Sequence, residues 1–270
     1  MSIHNHHYRD PDFSTAHTAD YILLVQIGIN SFSYAVAGRN RLFLLEENIS
    51  LNELNSPDKD HSLLFDNYKK RVIGLPQNGF TFIPVSLFRP DQVTSYARFL
   101  DVKVNEKVFS QPLNSENQVI YKVDEQIARI ADKFDVKNTA FGAKGWIDLI
   151  GSNNPSNHNL YLNIDSDKVE FLNYNDGKLR FYNSFEFKTP DELVYFTMFV
   201  AGELKVQPQN TSLILSGDIS TDDENFSRLA QFFNNTELNT LKTIDLPWNI
   251  AAQNILTLTA LSLCGSSEAL

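Results

Sequence analysis

Two stretches of this chain, about half its length apart, follow the same order of buried strand, second strand, turn and third strand. That repetition limits the architecture more than any other feature. The first opens with Ile22-Leu23-Leu24-Val25-Gln26-Ile27-Gly28, the nearly continuous apolar run that a strand buried on both faces requires. Phe32, Tyr34 and Val36 then alternate with small residues, and a turn at Gly38-Arg39-Asn40 leads into Leu42-Phe43-Leu44-Leu45. The second opens with Leu160-Tyr161-Leu162-Asn163-Ile164 and continues through Val169-Glu170-Phe171-Leu172. It turns at Asn175-Asp176-Gly177 and closes between Leu179 and Phe187. An offset of 137 residues, the distance from Leu23 to Leu160, superposes Leu23 on Leu160, Ile27 on Ile164, Leu42 on Leu179 and one turn on the other. A duplicated lobe is the economical reading.

Beyond the second meander, Thr189-Pro190-Asp191-Glu192 is a capping box with proline at the first helical position. Leu193, Phe196, Val200 and Leu204 mark one face of the helix it opens. Leu213-Ile214-Leu215 predicts a short buried strand ending at Ser216-Gly217-Asp218. Thr221-Asp222-Asp223-Glu224 caps a second helix with Phe226, Leu229, Ala230 and Phe233 inward. A strand over 241–246 and a helix over 249–263 complete a βββαβαβα order. The first half departs after its meander, with a helix near 63–70, a strand at 80–83 and a helix from Pro90 bearing Val93, Ala97 and Leu100. A hairpin over 107–123 and a helix over 124–134 follow. The expected division is a mobile tail over 1–20, a first lobe over 21–155 and a second over 156–270.

Composition removes several classes. A net charge of −10 argues against a nucleic-acid surface, which needs Lys and Arg to neutralise phosphates. No apolar run approaches the roughly 18 residues of a membrane-spanning helix. One cysteine excludes a disulfide framework and any Cys-based metal site, and a cytoplasmic location follows as the expectation. His4, His6 and His7 read either as a metal-binding tract or, as expected here, as part of the mobile tail. His61 and His158 are expected to be exposed, and Cys264 to be a buried thiol rather than a nucleophile. Gly142-Ala143-Lys144-Gly145 lacks the G-x-x-x-x-G-K-[ST] spacing of a phosphate loop and predicts a turn before Trp146.

A three-stranded meander followed by αβα crossovers makes a mixed α/β sheet with helices on both faces. This order resembles the ribonuclease-H-like core, and two such lobes resemble the actin, sugar kinase and Hsp70 superfamily. More narrowly, the chain resembles a family of uncharacterised bacterial proteins assigned an actin-like ATPase fold. The residues carrying the resemblance are 21–37, the run Phe80-Thr81-Phe82-Ile83-Pro84-Val85-Ser86-Leu87-Phe88, and 160–219. In that superfamily each lobe's first hairpin carries Asp-x-Gly, whose amides hold phosphates and whose Asp positions magnesium or the attacking water. A later strand ends in a Gly-Gly turn against the adenosine.

Carried across, Gln26-Ile27-Gly28 occupies the first Asp-x-Gly, with Asn30 and Ser31 following it. Asn163-Ile164-Asp165 occupies the second, and Leu215-Ser216-Gly217-Asp218 the adenosine turn. Gln26 and Asn163 offer neutral amides where Mg²⁺ sites use carboxylates. Asp165 adds a Cβ and a negative charge where backbone would approach a phosphate, a repulsion on the order of several kcal/mol. The expected role is therefore a non-catalytic scaffold or interaction protein with a degraded nucleotide cleft, no cofactor, and another protein or further copies of itself as partner. The alternative is a divergent ATP-binding protein or ATPase, holding ATP with magnesium through Gly28, Asn30, Ser31 and Gly217. A third reading sets Asp165, Glu192 or Glu203, and Asp218 as the metal-holding carboxylates of a ribonuclease-H-like nuclease.

Overall fold

A computed structural model describes residues 6–55 and 61–264. The chain forms two compact units, one from residues up to Asp148 together with the segment from Thr257, the other from Leu149–Leu256. The first unit holds β1 (His7–Arg9), β2 (Ile22–Ile27), β3 (Ser31–Gly38), β4 (Arg41–Ser50), β5 (Lys70–Leu75), β6 (Gly79–Pro84), β7 (Glu106–Pro112), β8 (Asn117–Asp124) and β9 (Thr139–Phe141). Its main sheet runs β1-β4-β3-β2-β5-β9, and β6-β8-β7 form a separate antiparallel sheet. Its helices are α1 (Asn52–Asn55), α2 (Val93–Ala97), α3 (Glu125–Asp132) and the start of α4 (Lys144–Ser152). The second unit holds β10 (Asn159–Ile164), β11 (Lys168–Asn175), β12 (Lys178–Glu186), α5 (Pro190–Glu203), β13 (Ser212–Gly217), α6 (Glu224–Ala230) and β14 (Asn235–Leu238). Its sheet runs β12-β11-β10-β13-β14. α7 (Leu256–Ala260) opens the return to the first unit.

Setting aside β1, both sheets have one topology: an antiparallel meander whose first strand pairs in parallel with a fourth, which pairs in parallel with a fifth. This is the ribonuclease-H-like order, found twice. The 137-residue offset carries β2 onto β10 and β3 onto β11 end to end. It also carries the hairpin residues Arg39 (φ 49°) and Asn40 (φ 63°) onto Asp176 (φ 50°) and Gly177 (φ 74°). Two consecutive left-handed residues are what a tight type I′ turn demands. Even the irregularity in strand pairing repeats, between Val36 and Ala37 in one sheet and between Asn173 and Tyr174 in the other.

In the second unit, Leu160, Leu162, Ile164, Leu213 and Leu215 turn one sheet face toward α5 and α6, meeting Leu193, Val200, Leu229 and Phe233. α5 begins at the predicted capping box: Thr189 Oγ1 accepts from Glu192 N at 3.2 Å, and Glu192 Oε2 accepts from Lys188 N at 2.6 Å. The cap of α6 is Asp223, accepting from Asn225 N, two residues later than Thr221.

Several expectations are corrected. Residues 6–20 are not a loose tail: β1 pairs with β4, a 3₁₀ turn covers Thr15–Asp20, and buried Phe13 lies 5.8 Å from the Tyr21 ring. His6 and His7 contact Glu47 and Glu46 at 2.8 and 2.6 Å, which ties them to the sheet, while His4 lies outside the described residues. The helix near 63–70 is a 3₁₀ turn, Ser62–Phe65, followed by β5. The fifth strand is Asn235–Leu238 rather than 241–246. The helix over 249–263 shortens to α7 and a 3₁₀ turn. The turn before Trp146 is confined to Gly142 and Ala143, and Lys144 and Gly145 already belong to α4, where Trp146 is fully buried. The units also differ from the expected lobes, because their boundary falls within α4 and the last described residues join the first unit.

Candidate functional site

In the second unit a row of polar side chains crosses the sheet at one level of register, one residue from the C-terminal end of β10. Glu170 on β11 and Ser216 on β13 flank Asn163 on β10. Asn239 follows directly after β14, donating its amide to Leu215 O at 2.7 Å. Paired residues share a face, so these side chains line the side opposite the α5–α6 core. Glu170 is the hub: Oε2 accepts from Asn163 Nδ2 at 3.0 Å, and Oε1 accepts from Tyr182 Oη at 2.7 Å and Lys168 Nζ at 3.3 Å. Burial alone would raise the Glu170 pKa, but Lys168 and the hydrogen bonds from Tyr182 and Asn163 outweigh it and hold the carboxyl below its usual range. Asn163 Oδ1, Ser216 Oγ and Asn239 Nδ2 are buried without a hydrogen-bond partner. Leaving such an atom unsatisfied costs about 1–3 kcal/mol.

The turns beyond this row place the other second-unit residues. Asp165 is exposed; its amide donates to Lys168 O at 2.8 Å, and its carboxylate accepts from Ser166 N. Although the residue is exposed overall, desolvation of its carboxyl by the surrounding protein raises its pKa; Glu170 and Asp167 add to the rise, while the Ser166 amide and Lys168 oppose it. Gly217 sits at φ +92°, where a Cβ would lie 2.0 Å from Ile164 O. Its amide donates to Gln253 O, and the half-buried Asp218 donates its own to Ile164 O at 2.7 Å. Thus Asn163, Asp165, Gly217 and Asp218 do share one sheet end. The nuclease arrangement is not assembled: Glu192 is spent on the α5 cap, and among the described residues no three His, Cys, Asp or Glu side chains group closely enough to hold a metal ion.

The first unit repeats the position but not the chemistry. Gln26 on β2 stands between Ser33 on β3 and Gly74 on β5. A Cβ at Gly74 would lie 2.6 Å from Gln26 Oε1, and one at Gly142 would lie 2.9 Å from Gln26 Nε2. Both glycines therefore make room for the Gln26 amide, whose Oε1 is buried without a partner. The Gly28 amide donates to Ser31 O at 2.8 Å, the counterpart at the same offset of the Asp165–Lys168 bond, and Asn30 is exposed on the turn. The sequence assigned no site role to Glu170 or Gly74 and marked Gly142 only as part of a turn. A glutamate set between Val169 and Phe171 on a buried strand was the available signal for the first; nothing local tied the glycines to Gln26.

Among the described residues no helix is long and apolar enough to cross a membrane. A Bacteroides thetaiotaomicron protein described as having an actin-like ATPase fold and unknown function matches 94% of this chain and 99% of its own, at 19% identity and a TM-score of 0.74. The PilM–PilN type IV pilus biogenesis complex contributes a chain matching 90% of this one and 96% of its own, at 12% identity and 0.52. The ethanolamine utilization protein EutJ from Carboxydothermus hydrogenoformans matches over 91% and 90%, at 7% identity and 0.50. No curated protein sequence matches. The strand order found in both units and these likenesses give one fold, that of the actin-like ATPases. Residues 10–236 match the family described as protein of unknown function, DUF3822, and the chain belongs to that family.

Proposed function

We propose that this is a non-catalytic protein of actin-like fold, acting through association with other proteins rather than through turnover of ATP. The observation that carries the reading is the Asn163–Glu170 bond. At the second Asp-x-Gly position stands a neutral amide, and its donor is already committed to a neighbouring carboxylate. Three further features support it. Gln26 repeats the neutral amide in the first unit, wedged against two glycines. The Gly28 and Asp165 amides are engaged within their own turns, so neither is turned toward a phosphate. The Asp165 carboxylate would repel one. Magnesium-nucleotide sites favour carboxylate ligands, and Gln26 and Asn163 offer only neutral amides in their place. The PilM relative occurs in a complex with PilN, and action through a partner is the mode we assign here. The net charge of −10 favours partners other than nucleic acid, and the lone thiol suits the cytoplasm.

A second reading, a divergent ATP-binding protein, draws on the Gly217 turn and the unpartnered Asn163 Oδ1, Ser216 Oγ and Asn239 Nδ2, which offer neutral contacts. Calorimetric titration with ATP and Mg²⁺, coupled to a phosphate-release assay, decides between them. We expect neither heat nor phosphate at about 1 mM nucleotide, roughly −4 kcal/mol of binding free energy. Heat without release supports the second reading. Release abolished by Gly28→Val would overturn the non-catalytic one.

A further inference from the structure

The outward side of α5 carries an apolar stripe between the acidic residues at its two ends. Leu193, Val194, Val200 and Ala201 are buried in the core, yet Tyr195 (64% exposed), Met198 (38%) and Phe199 (47%) face out. A surface helix ordinarily carries charged or polar residues there. The Phe185 and Phe196 rings stack at 4.8 Å beneath this stripe, and Phe199 meets Phe185 edge-on at 6.3 Å. One turn beyond Met198 lies Gly202, exposed, where a Cβ would touch nothing within 4 Å. Glycine weakens a helix relative to alanine, and no contact within the chain requires it at this position.

We propose that α5 packs antiparallel against α5 of a second copy, about a two-fold axis passing between Met198 and Phe199. The occupant is another copy because the stripe complements its own reverse. Residues equidistant from that axis are Met198 and Phe199, and Tyr195 and Gly202. The Tyr195 ring of one copy therefore lies over the open glycine of the other, and Met198 meets Phe199. The antiparallel sense also sets opposite helix-dipole ends beside each other. Every contact occurs twice, as an isologous interface requires. The exposed rings and Met198 supply on the order of 300 Å² per copy, a suitable apolar centre for an interface of about 800 Å² per partner. This assembly does not depend on the non-catalytic reading, because an ATP-binding protein would pair through the same stripe.

Sedimentation equilibrium of the full chain across a concentration series tests it. The wild type is expected to be a monomer–dimer system, with Phe199→Glu and Gly202→Leu each raising the dissociation constant at least about tenfold. Gly202→Leu is also expected to keep or raise the thermal midpoint of the dilute monomer, because its side chain enters open space. Loss of dimer with an intact fold thus supports the interface. A wild type that stays monomeric to about 100 µM overturns it. So does a dimer unaffected by both substitutions.

Discussion

Gly217 joins a φ of +92° to a backbone packed so closely that a Cβ would lie 2.0 Å from Ile164 O. Gly217→Ala is expected to destabilise the second unit by about 3 kcal/mol or more, read by chemical denaturation. Glu170 offers a pH-dependent counterpart. Its pKa is depressed in the folded state by Lys168, Tyr182 and Asn163, so its contribution is complete above the usual glutamate range. That contribution is lost as the pH falls through the depressed value. Glu170→Gln should cost about 2 kcal/mol at neutral pH and flatten the acid limb of the stability profile. Burial pushes the Cys264 thiol up to about 12. The native protein should therefore resist iodoacetamide near neutral pH and react at an ordinary rate once unfolded, as timed alkylation followed by mass spectrometry would record.

At the scale of elements, legibility followed local signals. The capping box at Thr189 announced α5 because the residues that accept and donate are neighbours in sequence. Thr189→Ala should accordingly cost about 1 kcal/mol, measured by thermal unfolding. The two meanders were legible because buried runs and type I′ turns are written in adjacent residues. Strands completed by distant partners were not. β5 begins with Lys70 and Arg71, which mask Val72, Ile73 and Leu75. β14 is the polar edge segment Asn-Thr-Glu-Leu, chosen by its pairing with β13 while the more apolar stretch at 241–246 stays irregular. β1 is held by β4, more than thirty residues away, and so a polar N-terminal segment reads as a tail. The candidate site divides the same way. Asn163, Gly217 and Gln26 sit on recognisable strand ends, whereas the Glu170 network and the glycine seat of Gln26 exist only between strands.

For the whole molecule, the two units carry separate reporters. Trp146 is fully buried in the first unit, and Trp248 is 99% exposed in the second. Tryptophan fluorescence should therefore follow unfolding of the first unit almost alone. Shortening the chain after Leu256 should move that transition to lower denaturant while amide-exchange protection of β10, β11 and β13 persists. The reason is the return of the chain: Leu261 packs within 3.1 Å of where a Gly74 Cβ would stand, Lys70 Nζ donates to Ser262 O, and Gly145 lies against Ala260 O. This path bears on synthesis. As the polypeptide leaves the ribosome, the half made earliest lacks part of its own packing until the segment from Thr257 has emerged. The half made later encloses itself first, so the translating cell must protect an unfinished apolar sheet for more than one hundred codons.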